Sequence, residues 1–333
     1  MTPTRKFYAV AIRLAALCVM IAVIAASAAS AASAATPGGA QDRALAQMLQ
    51  GIAHDFDREG LEAGIVLQRD TGNLEPGVRC ATRPVADFEQ QFIGAAVAEY
   101  LRAAGTEHRT RDFEVPVQFH ILRKRNGDWD VTDAQIAEQL DVLNRSFTEH
   151  GFRFALRGVS RRNKNKFAKK CLSARVERRF KKRYAIDPRT TLNVYSCRPK
   201  EDVLGYAYFP SDYPEDSFLH GVVLLHSTFP GGRAAPFDLG DTLVHEVGHY
   251  LGLYHTFEGK CGKRGDGISD TPRERSPASG CPIDRDTCSQ PGLDPVRNFM
   301  DYSDDDCVEE FTAEQELWMK DRLETFKPSL GGS

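Results

Sequence analysis

The run His245-Glu246-Val247-Gly248-His249-Tyr250-Leu251-Gly252-Leu253-Tyr254-His255 holds the residues whose types and spacing could do chemistry. His245 and His249 stand four apart, so on a helix both imidazoles leave one face and can share a metal ion. Glu246 is rotated by about 100° from His245, beside such a metal rather than on it. A carboxylate there can take a proton from an activated water and later deliver it to a leaving amine. Gly252 permits a positive φ, and the turn it allows brings His255 round as a third ligand. Three protein ligands with a fourth position open describe a catalytic zinc. A structural zinc would use the histidines and leave Glu246 without work.

The elements that must position this run are legible around it. Val115–Leu122 alternates as a strand, and Thr132 can cap a helix from Asp133 whose apolar face is Ile136, Leu140, Leu143 and Phe147. Gly151 ends that helix before a second strand, Phe152–Leu156. A basic helix near 172–184, a strand over Thr191–Tyr195 and a buried strand over Gly221–His226 follow. The histidine helix is expected from about Leu239 to Leu251, then a long irregular segment, then a last helix over Thr312–Phe326. Phe88–Ala103 reads as a further helix, and Gly105–Arg111 as an exposed polar link.

The chain has 333 residues, 41% hydrophobic and 27% charged, with a net charge of −3. That is ordinary globular composition, and nothing global in it points to nucleic acid as a partner. The charge is uneven, however. Residues 161–183 hold twelve Lys or Arg against the single acid Glu177, whereas 301–324 hold ten acids against Lys320 and Arg322. The first 35 residues read as a signal peptide: Arg5 and Lys6, an apolar core from Leu14 to Ala26, and A-x-A sites in the Ala/Ser run after it. The mature chain is therefore expected to be secreted, with no membrane association after signal removal. Residues 36–110 form a smaller propeptide-like unit, and 111–333 the catalytic domain. Export favours disulfides. Cys18 leaves with the signal, so seven cysteines remain and one thiol is left over.

The histidine run with the later Asn298-Phe299-Met300-Asp301-Tyr302 resembles the zinc signature and Met-turn of the metzincin proteases. The finer resemblance is to the pappalysin (cytophagalysin-like, ulilysin-like) branch. It rests on Leu204-Gly205-Tyr206-Ala207-Tyr208-Phe209-Pro210, His255-Thr256-Phe257, Gly265-Asp266-Gly267-Ile268-Ser269-Asp270-Thr271-Pro272, Gly280-Cys281-Pro282 and Phe311-Thr312, and covers about residues 113–327. It implies an α/β fold: a twisted, mostly parallel mixed sheet packed on two helices, with a zinc-binding active-site helix and a disulfide-stapled C-terminal subdomain.

The resemblance also implies roles. Met300 packs beneath the histidines, Tyr302 stabilises the developing oxyanion, and strand 221–226 is the edge along which extended substrate pairs. Bridges Cys261–Cys288 and Cys281–Cys307 are implied, with Cys171–Cys197 as the remaining pairing among the many that six cysteines permit. Asp266, Asp270 and Thr271 are expected calcium ligands, with Glu274 beside them.

Two further expectations concern Asp306 and Cys80. Asp304-Asp305-Asp306 follow the Met-turn, so a basic residue is expected after the scissile bond, with Asp306 as its partner. Cys80, in Val78-Arg79-Cys80-Ala81-Thr82, is the thiol left over once the six later cysteines pair. It resembles the cysteine of pappalysin-like propeptides, and a thiolate on zinc would hold the chain latent until it is cut near 109–112. The expected activity is hydrolysis of peptide bonds in extracellular proteins and peptides by Glu246-activated water. The rival reading is a secreted zinc- and calcium-binding module that has lost catalysis.

Overall fold

The structure, a computed structural model, describes residues 79–199 and 203–331. The expected signal peptide and residues 36–78 lie outside the described residues. Helix α1 spans Asp87–Ala104 and strand β1 Phe113–Arg123. Helix α2 is Asp133–Phe147, strand β2 Phe152–Asn163, helices α3 and α4 Asn165–Lys169 and Ala174–Tyr184, and strand β3 Leu192–Cys197. Strands β4 (Gly205–Tyr206) and β5 (Val222–Leu225) precede helix α5 (Asp241–Tyr250) and, after a long irregular segment, helix α6 (Ala313–Phe326).

The five strands form one mixed sheet in the order β2-β1-β3-β5-β4, parallel throughout except for β4. This corrects one expectation. The strand near 221–226 is interior, and the edge next to it is the two-residue β4. Alternation along the strands sorts the packing. Val194, Val222 and Leu224 face one way, into a core with Leu143 and Phe147 of α2 and Val244 and Val247 of α5. Tyr195 and Val223 face the other way, onto Val176 and Phe180 of α4. Helices thus cover both faces of the sheet. Each fully buried Val, Leu or Phe contributes roughly 1.5–3 kcal/mol, so these two layers hold most of the stability.

Local chemistry fixes the helix ends. Thr132 and Gln135 form a reciprocal capping box at α2, as Thr312 and Gln315 do at α6. Gln139 Nε2 donates to the Gly240 carbonyl at 2.9 Å, tying α2 to the start of α5. Strand β2 runs seven residues beyond its apolar part, with a register irregularity opposite Val117/Gln118. Disulfides join Cys171–Cys197, Cys261–Cys288 and Cys281–Cys307 across separations of 26, 27 and 26 residues. Loop closure of that length is worth about 3–4 kcal/mol per bridge in the chain-entropy account.

The described part of the expected N-terminal unit packs against the catalytic segment. Ile93 and Val97 of α1 are buried with Phe326 of α6. The link is exposed as expected at Gly105–Glu107, Thr110 and Arg111, but it is docked through its middle. Glu107–Thr110 forms a 3-10 turn in which buried His108 meets Asp321 at 2.8 Å, and Arg109 Nε donates to the same carboxylate at 2.8 Å.

Candidate active site

Helix α5 buries nine of its ten residues, Thr242 through Tyr250. His245 and His249 lie one turn apart on it, and Gly252, at φ 105°, turns the chain so that His255 returns to them. A Cβ at Gly252 would also stand 2.8 Å from Cγ of Arg322, so two independent constraints fix this glycine. The three Nε2 atoms converge: His249 to His245 at 3.1 Å, and His249 to His255 at 3.1 Å. Ligands at the 2.0–2.1 Å of zinc–imidazole bonds would sit about 3.3 Å apart on a tetrahedron. The carbonyl of Phe299 lies 2.6 Å from Nδ1 of His245, and that of Leu253 2.7 Å from Nδ1 of His249. Protons held there leave both Nε2 lone pairs pointing inward.

Burial pushes the imidazoles toward the neutral form, His245 to about 4. His249 and His255 fall well below the ordinary value through burial and their neighbouring rings. Three neutral nitrogens crowded at one point repel until a cation joins them, so the donor set fits zinc. The fourth donor is Cys80: its Sγ and the three ring nitrogens lie within 4.8 Å of one another, and all four residues are buried. Among the described residues no other group of three or more His, Cys, Asp or Glu is gathered in this way.

Glu246 points to the same place. Thr82 Oγ1 donates to its Oε2 at 3.2 Å, and burial raises its pKa to about 8 against hydrogen bonds from Cys80 and Thr82. Gly205 on β4 makes room for it, since a Cβ there would meet Cγ of Glu246 at 2.9 Å. Met300 is fully buried beneath the helix, where any side chain at Gly248 would collide with its sulfur. Asn298 Oδ1 holds the Met300 N–H at 3.0 Å, and Asn298 is paired with Gln315 of α6. The Tyr302 ring lies 5.1 Å from that of His255 and 5.8 Å from that of His245. Its hydroxyl donates to the Cys80 carbonyl at 3.3 Å.

Residues before Cys80 and after it are held in the cleft by β pairing. Leu204 N donates to Arg79 O at 2.7 Å, and Ala81 N to Gly205 O at 2.9 Å. Arg79 crosses the Phe237 ring at 4.1 Å and hydrogen-bonds the Tyr302 carbonyl. Arg79, Thr82 and Gly205 stand in the motifs quoted from the sequence, but their roles at the site are not legible there, because each acts through a contact distant along the chain.

Asp306 is exposed, which corrects its expected place in a pocket. The hollow beside His245 and Glu246 is lined instead by Asp241 and Asp305, with Phe237, Val308 and Arg79. In the three-aspartate run the backbone turns Asp305 inward. One of its oxygens accepts from Leu239 N at 2.9 Å and Gly240 N at 3.2 Å, anchoring the start of α5. Burial, with Asp305 nearby, pushes the Asp241 carboxyl up to about 7. Asp241 sits four residues before His245 on one helix face, and that spacing could have found it. Of the expected calcium ligands, Asp266 lies beside the Thr271 side chain. Asp266 is buried, with its pKa raised to about 8 by burial, whereas Asp270 accepts from Thr312 Oγ1 at 2.7 Å and Glu314 N at 2.9 Å and so anchors α6.

Known proteins share the family and fold of this chain. The family described as pregnancy-associated plasma protein-A matches residues 177–324. An extracellular metalloprotease 1 of Coccidioides posadasii is 40% identical over 220 residues, 64% of this chain and 78% of that protein. An extracellular metalloprotease of Colletotrichum graminicola is 42% identical over 239 residues, 69% of this chain and 84% of that protein. Among solved structures, mature mirolysin of Tannerella forsythia with a cleaved peptide has TM-score 0.54 and 26% identity, covering 67% of this chain and 100% of that one. A promirolysin variant shares the fold at TM-score 0.61 and 23% identity, covering 80% of this chain and 94% of that one. The chain therefore belongs to the pappalysin family of metzincin proteases and is an extracellular metalloendopeptidase, an activity that implies a catalytic zinc.

Proposed function

We propose that His245, His249 and His255 hold the zinc and that Glu246 is the general base of peptide-bond hydrolysis. The observation that carries this reading is the convergence of three Nε2 atoms at 3.1 Å spacing with the Glu246 carboxylate beside them. Zinc bound there supplies Lewis acidity toward a water and a scissile carbonyl. Glu246 accepts the water's proton and returns it to the leaving amine. Tyr302, with its hydroxyl at the same wall, donates a hydrogen bond to the oxygen that gains charge. Buried surroundings strengthen both interactions.

The intact chain is latent in this reading. Residues 1–35 direct export, 36–110 act as propeptide, and Cys80 takes the ligand position that water needs. Support comes from the buried, unbridged thiol among the histidines and from the Tyr302 hydroxyl, turned onto the Cys80 carbonyl. Release of the propeptide then requires undocking of the Glu107–Thr110 turn from Asp321 as well as cleavage.

Specificity for a basic residue after the scissile bond is transferred to Asp241 and Asp305. The chain's own Arg79 already borders their pocket. A structural calcium beside Asp266 and Thr271 is the last part of the reading, supported by the buried Asp266 carboxyl. A fluorogenic peptide assay on chain cut before residue 113 tests the whole. Loss of activity to a zinc chelator and its return with zinc are expected, and chelator-resistant hydrolysis would end the reading. Calcium analysis of the same preparation decides the last part separately.

A further inference from the structure

The stretch 162–183 carries ten exposed Lys and Arg side chains. Its one acid, Glu177, is buried and paired with buried Lys181 at 3.0 Å. None of the ten exposed cations makes an ion pair with a described residue, although fifteen other Lys and Arg residues among the described ones do. The arrangement on α4 is ordered. Arg175, Arg178, Arg179 and Lys182 stand at i, i+3, i+4 and i+7, a single stripe on the solvent side opposite Val176 and Phe180. Seven residues of helix rise make that stripe about 10 Å long.

Such a stripe works against its own helix. The pairs Arg175/Arg179, Arg178/Lys182 and Arg179/Arg183 are like charges four apart, each destabilising by a few tenths of a kcal/mol. Arg175 also stands in the first turn, where the helix dipole disfavours cations, and only Lys182 of the stripe reaches the last turn, where it favours them. The cations of α3 and its flanks, Lys166, Lys169 and Lys170, are added from the preceding turn, and the Cys171–Cys197 bridge fixes the two helices to β3. A fold that tolerates this repulsion and supplies no internal counter-charge leaves the neutralisation to a partner.

The side chains around the patch indicate the partner's chemistry. The neighbouring rings Phe167 and Tyr184 are half-buried, and Arg162 and Arg183 lie over Tyr184 at 4.9 and 5.8 Å. No exposed aromatic ring within 162–183 offers a platform for stacking bases, and no exposed apolar side chain there could enter a lipid headgroup layer. What remains is a row of solvent-facing cations, three guanidinium groups and one ammonium, on an extracellular protein. We propose that the face formed by residues 162–183 binds a linear anionic polysaccharide, sulfated or uronate-rich. The face lies on the opposite side of the sheet from α5, so a bound polymer leaves the cleft free. Contact releases counterions, and binding must therefore weaken steeply with salt.

The test uses the full chain on immobilised heparin and on polygalacturonate, with uncharged dextran, duplex DNA and phosphatidylserine vesicles as comparisons. Retention by either anionic polysaccharide in about 0.15 M salt, falling steeply as salt rises, is expected. The variant R175Q/R178Q/R179Q/K182Q should bind at least about tenfold more weakly, while R175K/R178K/R179K should match the parent. Cleavage of a short neutral peptide by the cut chain should be the same in all three, which separates a lost contact from a damaged fold. Equal binding by the glutamine variant, absence of binding to both polysaccharides, or tighter binding to DNA or vesicles than to either would overturn the proposal.

Discussion

Helices α5 and α4 lie on opposite faces of one sheet and solve opposite problems. In α5 nine of ten residues are buried, and His245 and His249 are each tied through Nδ1 to a backbone carbonyl while Glu246 takes the Thr82 hydroxyl. In α4 the polar side chains that are buried, Glu177 and Lys181, pair with each other, and the exposed cations meet rings at most, Arg178 over Phe218 and Arg183 over Tyr184, and no described carboxylate. The difference follows from the cost of an unmet polar group, large in the interior and small in water. A buried site must be completed by the fold itself. An exposed one can be left for a partner to complete.

That contrast can be broken first at its most expensive point. Glu246→Ala in the cut chain is expected to keep zinc and lose about two to four decades of turnover. Metal content and hydrolysis measured on one preparation check it, and substantial residual cleavage would remove Glu246 from its role. Next in size is Cys80→Ser in the intact chain. A hydroxyl is a far weaker zinc ligand than a thiolate, so the variant should hydrolyse peptide while the uncut parent does not. Equal silence of both would show that latency lies elsewhere, in the pairing of residues 79–81 with 204–205 or in the docked 107–110 turn.

A smaller effect is expected in the pocket. Asp241→Asn should lower cleavage before Arg about tenfold and spare cleavage before Leu, whereas Asp306→Asn should change neither. The Asp241 carboxyl is pushed up to about 7 by burial and by Asp305, so it gains its charge as pH rises through that value. The Arg-to-Leu cleavage ratio should accordingly climb between about pH 6 and 8. A flat ratio would exclude this carboxylate as the partner. Least of all, Arg179→Gln on α4 removes two like-charge pairs and should stabilise the fold by about 0.4–1 kcal/mol, read as a raised denaturation midpoint. The exposed helix thus has room for improvement that the buried one lacks.

How much of this was legible in the sequence follows the same division. The histidine run could be read because helical periodicity alone sets which side chains share a face, and Gly252 marks where the helix must stop. The interior strands announced themselves by apolar runs. Strand β2 was read only to Leu156 because its further half is an edge with polar side chains, held by backbone pairing that leaves no hydrophobic signature. Strand β4 has two residues and no pattern at all, so the sheet's true edge was assigned to its neighbour. Asp305 rather than Asp306 enters the pocket because a turn in the backbone decides it, and three identical residues in a row carry no record of that turn. Arg109 was placed in solvent because its partner, Asp321, lies 212 residues further on.

The pairing of Arg79 and Ala81 with Leu204 and Gly205 has a bearing on solubility as well as on access to the cleft. It covers the outer rim of the sheet, and an uncovered rim is a template onto which any extended chain, including a second copy, can add. Whatever removes residues 79–81 frees the Leu204 N–H and Gly205 C=O at the moment the cleft opens. A protease needs that rim bare to receive an extended peptide, so it cannot carry permanent blocking charges there. In the proposed latent form the N-terminal segment would shield that rim from edge-to-edge pairing with a second copy, and the two-residue length of β4 would limit the hazard once the segment is gone.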